Sequence, residues 1–264
     1  MSLTNKTIAE TYKDIVYIEN SNTGFDSNID QIKTGNGSGS SLYLSTNNVK
    51  IQPSADSTTN TVIYDVNGNA LFTVDSTNDS VKSGISQNHV NTQYAHFGIV
   101  YGDATQYTAN THFAVPFAGV NGGINYTNDV DFGTGTDPDD SFTTANTDTQ
   151  YAAQIVPMMW RLYDNIVIDS VSHIEGASNA SGDTTRMHLK SFDFTSGSSS
   201  ALTNGTLLAH SSDITNAGNE QAYHAEWTVD SSSVAADKVI LCFFRSDSIS
   251  SDYSINVTVK YHLV

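Results

Sequence analysis

The strongest constraint on the fold of this chain is an imperfect repeat of two short hairpin-like segments near its N-terminus. Leu42-Tyr-Leu-Ser-Thr-Asn-Asn-Val-Lys50 returns as Leu71-Phe-Thr-Val-Asp-Ser-Thr-Asn-Asp-Ser-Val-Lys82. Each copy has an apolar fragment, a polar turn and a second fragment that ends in Lys. An isolated hairpin is marginally stable in water, and a repeat that cannot bury its own apolar face needs neighbours. Other chains are the simplest neighbours, so the repeat indicates a thin β-region of a multi-chain assembly.

The repeat region, residues 41–88, reads as short strands over 42–44, 49–52, 62–66 and 70–74. Asn67-Gly68 lies between the last two strands and predicts a type I′ hairpin turn, which needs two residues that accept positive φ. The alternating apolar side chains of this region have no evident layer within the chain to cover them. Three chains around an axis would supply that layer, so we expect a homotrimer. The predicted interface residues are Leu42, Leu44, Val49, Ile51, Ile63, Leu71 and Val74.

Residues 1–40 predict a docking segment. Thr7-Ile-Ala-Glu10 has the pattern of a capping box, and Ile8, Tyr12, Ile15 and Val16 share one face at helical spacing. A short helix over residues 5–17 is therefore expected. Residues 20–40 are rich in Gly, Ser and Asn and predict an irregular segment that a partner's surface orders.

Residues 89–264 predict a β-sandwich or jelly-roll-like domain, which makes the whole chain all-β apart from the short helix. The repeat ends around residues 84–92, and turn-rich loops then separate about nine short strands. The last strand is the clearest, because apolar side chains from Tyr253 to Leu263 alternate strictly with polar ones. The longest polar loops are predicted at 121–150, 174–185 and 195–205. The predicted strands cover 96–101, 111–115, 154–162, 165–173, 186–194, 206–210, 222–229, 238–244 and 253–263.

The charge and the single cysteine exclude several classes of protein. The chain has 28 acidic and 11 basic residues, a formal net charge of -17. Nucleic-acid binding is not expected, because it relies on Lys and Arg to neutralise phosphates. No segment has the roughly 18 apolar residues of a membrane span, and the N-terminus does not resemble a secretion signal. Cys242 lies in an apolar run and predicts a buried side chain, with no intrachain disulfide.

Motifs of common enzyme classes are absent from the sequence, and we expect no catalytic activity and no required cofactor. There is no Gly-x-Ser-x-Gly elbow, no His-Glu-x-x-His, no Walker loop and no dinucleotide-binding fingerprint. Glu175, Glu220 and Glu226 could belong to a carboxylate pair of the kind that cleaves glycosides. Solvated loop acids are the commoner account in a chain this acidic.

One acidic stretch is the best candidate for a metal site, a Ca²⁺ loop. It runs from residue 129 to 140 and combines carboxylates with glycines that let the backbone turn around a hard cation. An exposed acidic loop without a metal is the alternative. The eight histidines show no spacing typical of a ligand pair. Trp160 and Trp227 lie in apolar surroundings, where core packing is expected rather than sugar stacking. The candidate Ca²⁺ ligands are Asp129, Asp131, Asp137, Asp139 and Asp140.

The order of four N-terminal motifs resembles fibre-like virion proteins of marine tailed bacteriophages. The motifs are residues 7–27, Gly39-Ser-Ser-Leu-Tyr-Leu-Ser45, Val49-Lys-Ile-Gln-Pro53 and Asn67-Gly-Asn-Ala-Leu-Phe-Thr-Val-Asp75. They cover about the first third of the chain. The resemblance implies a particle-attachment segment at 1–40, a trimeric shaft at 41–88 and a variable outer domain at 89–264.

The resemblance implies a structural protein of the virion, assembled in the host cytoplasm. We expect a tail or head fibre or spike subunit whose partners are its own copies, other capsid or tail proteins and a glycan of the host surface. A capsid decoration protein that stabilises the shell is one alternative. A polysaccharide depolymerase is the other.

Overall fold

The computed structural model describes residues 15–18, 20, 23–102, 108–118, 132–142, 155–198, 201–248 and 251–264. These residues form twenty strands and one short 3-10 helix, which confirms the all-β prediction. The chain divides into two compact units, residues 1–90 and 91–264.

The first unit contains two antiparallel sheets of four strands, each a meander in which every strand pairs with the next in the chain. Such pairing needs only short turns, which the Ser- and Asn-rich connections provide. The first sheet consists of β1 (Val16–Ile18), β2 (Asp30–Thr34), β3 (Gly39–Leu44) and β4 (Val49–Ile51). The second consists of β5 (Thr61–Tyr64), β6 (Ala70–Asp75), β7 (Ser80–Ser83) and β8 (Asn88–His89).

The start of this unit differs from the sequence-based prediction. The predicted helix over 5–17 does not extend to its last residues, because Val16 and Tyr17 lie in β1 and pair with β2. Residues 1–14 lie outside the described residues. Residues 20–40 are also not wholly irregular, since β2 and β3 form a hairpin that Gln31 Nε2 supports by donating to the Ser40 carbonyl at 2.8 Å. The predicted boundary at residue 40 falls inside β3.

The hairpin at Asn67-Gly68 is present, but its turn is not the predicted type I′. Of these two residues only Gly68 has a positive φ, +83°. The connection spans residues 65–69, and Asp65 organises it by accepting hydrogen bonds from the backbone N–H groups of Asn67 and Asn69 at 2.8 Å. A side chain that closes the turn thus replaces the second positive φ.

The second unit is a sandwich of two antiparallel sheets. Its strands are β9 (Thr92–Gly102), β10 (Phe113–Val115), β11 (Trp160–Arg161), β12 (Ile166–Ser178), β13 (Thr184–Phe194), β14 (Leu202–His210), β15 (Ile214–Thr215), β16 (Glu220–Glu226), β17 (Thr228–Val229), β18 (Ser233–Val234), β19 (Val239–Ser246) and β20 (Asp252–Leu263). The seven-stranded sheet has the order β10-β19-β13-β14-β17, and β11 pairs with β19 and β15 with β13. The five-stranded sheet has the order β16-β12-β20-β9, and β18 pairs with β12.

A first hydrophobic core fills the space between the two sheets. The inward residues of β20 alternate with polar ones, so one face of the strand is buried. Trp160, Trp227 and Cys242 all contribute, which confirms that these side chains pack in the interior. Burial strongly raises the pKa of the Cys242 thiol. The core is represented by Phe97, Val115, Trp160, Ile168, Met187, Leu189, Ile240, Cys242, Phe244, Ile255, Val257 and Val259.

A second core covers the outer face of the seven-stranded sheet. Phe132 packs within 4.7 Å of Phe243 and 5.1 Å of Phe142, measured between ring centroids. Strand β19 therefore contributes to both cores, which explains its continuous apolar run. This core comprises Ala114, Phe132, Phe142, Ile155, Met158, Phe192, Leu202, Val239, Leu241 and Phe243.

Several predicted boundaries in this unit are wrong. Residues 154–162 are not one strand, because Pro157 lies in a 3-10 helix (Val156–Met158) that precedes the short β11. Residues 222–229 are split at Trp227 into β16 and β17. The loop predicted at 174–185 is shorter, because residues 174–178 belong to β12 and residues 184–185 to β13. The loop predicted at 195–205 is also shorter, because residues 202–205 belong to β14. Most of the loop predicted at 121–150 lies outside the described residues.

Candidate functional site

The clearest candidate for an interaction surface is one face of the β3–β4 hairpin. Leu42 lies opposite Ile51 and Leu44 opposite Val49, so these four side chains share one face. Val49 is 69% exposed, Leu42 and Ile51 are also exposed, and Leu44 is half-buried. We call these four residues the apolar quartet. It belongs to the predicted oligomer interface.

The second sheet of this unit separates the other predicted interface residues. Ile63 lies opposite Phe72, and Thr61 opposite Val74, so Ile63 and Val74 share a face with Phe72. Leu71 is on the opposite face, because side chains alternate along β6. The two faces of this sheet therefore cannot serve one flat interface together.

Polar contacts occupy the face of the first sheet that lies opposite the apolar quartet. Tyr43 and Lys50 are paired there, with Lys50 Nζ 5.0 Å from the centre of the Tyr43 ring. A cation over an aromatic face is a favourable and well-hydrated arrangement. The β3–β4 hairpin is thus amphipathic, with the apolar quartet on one face and the Tyr43–Lys50 pair on the other.

Apolar burial differs completely between the two units. Every buried apolar side chain of the described residues lies between Ala95 and Val259. In the described part of residues 1–90, no apolar side chain is buried. The described residues of this unit therefore leave most of the apolar quartet exposed.

The structure places three of the five predicted Ca²⁺ ligands, Asp137, Asp139 and Asp140, over the polar part of the seven-stranded sheet. Asp137 Oδ1 lies 3.4 Å from His188 Nε2, and Asp140 Oδ1 lies 2.5 Å from Lys190 Nζ. Lys190 also donates to the Pro138 carbonyl. These carboxylates thus contact basic residues of β13. Asp129 and Asp131 lie outside the described residues.

Two buried histidines meet beneath this acidic segment. The rings of His112 and His188 pack edge to face with centroids 4.9 Å apart. His112 Nδ1 is 3.1 Å from the Gly133 carbonyl oxygen, while His112 Nε2 and both ring nitrogens of His188 have no hydrogen-bond partner. Asp137, His112 and His188 are called the histidine cluster below.

The surroundings of the histidine cluster favour uncharged imidazoles. Burial, together with the neighbouring His112 and Arg186, lowers the pKa of His188 to about 2. Burial likewise lowers the pKa of His112 to about 4, although the Gly133 carbonyl opposes the shift. Sequence spacing does not predict this contact, because the two residues are 76 positions apart and meet only through the β10–β19–β13 pairing.

A second polar network lies inside the sandwich, around Glu175. Its Oε2 accepts a hydrogen bond from Thr185 Oγ1 at 2.7 Å and lies 3.8 Å from His173 Nε2. His173 Nδ1 accepts from Trp227 Nε1 at 2.7 Å. Nearby, burial raises the pKa of Tyr253 to about 12. Glu175 is fully buried, so it does not face a substrate in solvent.

A cavity of about 930 Å³ opens along β9, in the size range of ligand sites. Tyr94, Phe117, Trp160 and Tyr261 provide aromatic walls, and His96 and Asn256 are among its polar residues. Small residues of β9 and its neighbouring strands line part of it, among them Gly98, Gly176, Ala222 and Ser254. Such a lining can stack on a ring and hydrogen-bond its edge.

No protein-family profile and no curated protein sequence matches the chain. Among the described residues, no helix is both long and apolar enough to cross a membrane.

Proposed function

We propose that the chain is a subunit of a homotrimeric, fibre-like structural protein of a bacteriophage virion. One observation carries the proposal: the apolar quartet lies uncovered on a sheet whose own unit buries no described apolar side chain. Removing apolar surface from water contributes roughly 25 cal/mol per Å². Covering this face with other copies of the chain would therefore remove apolar surface from water and favour association.

The motifs of the N-terminal third support the virion assignment by their resemblance to fibre-like proteins. In this proposal residues 1–40 attach the subunit to the capsid or tail, and the β-hairpins of 41–88 form the shaft. A tail fibre and a head fibre would both need an attachment segment and a shaft of this kind. Imaging of the virion distinguishes the two locations.

The sandwich is proposed to bind a glycan of the host surface without cleaving it. The cavity along β9 offers aromatic and hydrogen-bonding side chains, as sugar binding requires. Its described lining residues include no Asp or Glu, so these residues offer no carboxylate pair for glycoside hydrolysis. This favours adhesion over depolymerase activity.

Imaging and binding together test the proposal. Antibody labelling of purified virions should place the chain on a fibre or spike, and labelled full-length protein should bind host cells. Tyr94→Ala should weaken cell binding, because Tyr94 lines the cavity and its side chain is exposed. Tyr163→Ala is the matched control, since Tyr163 is 81% exposed and is not part of that lining.

Three results would contradict the proposal in different ways. Full occupancy of the capsid lattice without cell binding would favour the decoration role. Release of reducing sugar ends from host polysaccharide would favour the enzyme. Equal loss of cell binding in the Tyr94→Ala and Tyr163→Ala variants would show that binding does not depend on the cavity.

A further inference from the structure

We propose that a small polar cavity, where β13 begins and β19 ends, binds an oxyanion through Arg186 and Arg245. The oxyanion is a sulfate or a carboxylate group. The cavity has a volume of about 230 Å³, and every described residue that lines it is polar or charged. Sites for drug-sized ligands usually measure about 300–1,000 Å³, so this cavity suits one small group. The inference is independent of the proposed function.

The first argument is the position of the two arginines. Arg186 on β13 and Arg245 on β19 are direct partners in the antiparallel register, and both line the cavity. Side chains that are opposite one another in this way interact, and two like charges there destabilise the pair. The chain has only three arginines, and two of them form this one pair. An anion bound to both guanidinium groups would offset their repulsion.

The second argument is that the described residues neutralise the two charges incompletely. Arg245 forms no ion pair with a described residue. Its Nε and Nη2 donate to the carbonyl and side-chain oxygens of Asn110 at 3.2 and 3.0 Å, and these oxygens carry no net charge. Arg186 Nη1 is 3.5 Å from Asp213 Oδ1, which is a long contact for a charged pair. Positive charge therefore remains available to a ligand.

The third argument is a buried donor of Arg186. Its Nε is buried and has no hydrogen-bond partner among the described residues. Buried polar atoms in proteins are nearly always hydrogen-bonded, so such a donor favours a ligand that brings an acceptor. The guanidinium group is a planar fork of donors that matches two oxygens of a carboxylate or a tetrahedral oxyanion. An oxyanion would thus satisfy Nε and the charge together.

Two carboxylates also line the cavity, and both are engaged by other groups. Asp247 Oδ1 accepts a hydrogen bond from the Thr184 backbone N–H at 2.7 Å. The Asp213 side chain is 59% exposed, so water screens its charge. Acidic residues elsewhere on the chain act weakly, because salt screens exposed charges beyond about 8 Å at physiological ionic strength. The nearby arginines therefore dominate the field that an anion meets in the cavity.

The test is calorimetric titration of the full-length protein with sodium sulfate and with sodium glucuronate, at an ionic strength held constant with sodium chloride. We expect saturable binding of an anion and no binding of glucose, which is a neutral sugar. Binding of sulfate alone would identify an inorganic anion as the ligand, and binding of glucuronate alone would identify the carboxylate of an acidic sugar. Saturable binding of neither anion would overturn the proposal.

Three variants test the assigned residues. Arg186→Gln and Arg245→Gln should each weaken anion binding by at least about tenfold, because each removes a charge and a fork of donors. Asp213→Asn should strengthen binding by up to roughly fivefold, the effect of removing one like charge about 4 Å away in water. Arginines with a merely structural role would not produce that gain.

Arg161→Gln is the matched control, because Arg161 is the third arginine and is not among the described lining residues of this cavity. Its Nη2 lies 2.9 Å from Asp237 Oδ1, and its side chain is 53% exposed. Anion affinity should be unchanged in this variant. Equal weakening in all three glutamine variants would overturn the proposal, and so would undiminished binding by folded Arg186→Gln and Arg245→Gln. If those two variants fail to fold, Asp213→Asn decides the question, and the absence of a gain contradicts the site.

Discussion

The two units of this chain use the same antiparallel pairing but bury their side chains in opposite ways. In residues 91–264, two sheets cover one another, and β19 is buried on both faces. In residues 1–90, two four-stranded sheets leave the apolar quartet in solvent. The comparison teaches that strand pairing alone does not stabilise a sheet, since an apolar face needs a second layer. The sandwich has that layer within the chain, whereas other copies of the chain are proposed to supply the layer for the first unit.

Substitution within the apolar quartet should have the largest effect. Val49→Asp would place a carboxylate in the proposed interface, and an unpaired buried charge costs several kcal/mol. We expect the dissociation constant of the trimer to rise by more than about 1,000-fold, or roughly 4 kcal/mol. Sedimentation velocity measures the change. Val66→Asp is the control, because Val66 is 99% exposed in a turn, and an unchanged mass for Val49→Asp would contradict the interface.

Truncation in the second core should destabilise the sandwich alone. Phe243 is fully buried against Phe132 and Phe192, so Phe243→Ala should lower the free energy of unfolding by about 3–5 kcal/mol. Chemical denaturation followed by near-ultraviolet circular dichroism reports this unit. Ile174→Ala should change it by less than about 0.5 kcal/mol, since Ile174 is exposed on β12. An equally small change in the free energy of unfolding for Phe243→Ala would contradict the presence of a second core.

Alanine substitution of two glycines, one in each unit, should have an effect of intermediate size on stability and allows the units to be compared. Gly68 and Gly182 have φ values of +83° and +91°, and a Cβ at either would meet no atom within 4 Å. Alanine at each should cost about 1 kcal/mol through backbone conformation only. Hydrogen exchange measures where stability is lost. Gly68→Ala should speed the exchange of amides in β5 and β6, and Gly182→Ala should speed the exchange of amides in the sandwich. Loss in the same strands from both variants would contradict independent units.

The smallest predicted effect is a pH-dependent one in the first unit. The Asn78 side chain, its backbone N–H and the Lys82 ammonium hold the pKa of Asp75 below its ordinary 3.8. A carboxylate with a lowered folded pKa stabilises the fold above the unfolded pKa, and this stabilisation is lost as the pH falls through the folded pKa. Asp75→Asn should therefore weaken the β6–β7 hairpin at neutral pH, and the difference from wild type should shrink below pH 3.8.

Hydrogen exchange of the β6 and β7 amides at several pH values measures that difference. The exposed Asp56→Asn is the control, and it should leave the exchange rates of these amides unchanged at every pH. A difference between Asp75→Asn and wild type that is constant from neutral to acid pH would contradict the assigned role of the carboxylate.

The sandwich strands were predictable where periodicity reflects burial on one face. Strict alternation located β20, and the continuous apolar run located β19, although not its burial between two cores. The break at Trp227 and the 3-10 helix at Pro157 were missed, because local backbone geometry interrupts strands that have an unbroken apolar pattern.

The candidate sites were less predictable, because they depend on pairing register. A short hairpin repeat indicates exposed apolar faces, but only the register shows that Ile63 shares its face with Phe72 and Val74. The contact between His112 and His188 depends on which strands are neighbours, and no spacing along the chain encodes it. The acidic stretch was visible in the sequence, whereas its contacts with His188 and Lys190 were not.

The most direct test of the central claim is sedimentation equilibrium of the full-length chain at micromolar concentration, combined with limited proteolysis. The account predicts three times the mass of one chain, with residues 40–82 protected because copies cover the apolar quartet. A well-folded monomer in which residues 40–82 resist the protease would contradict it.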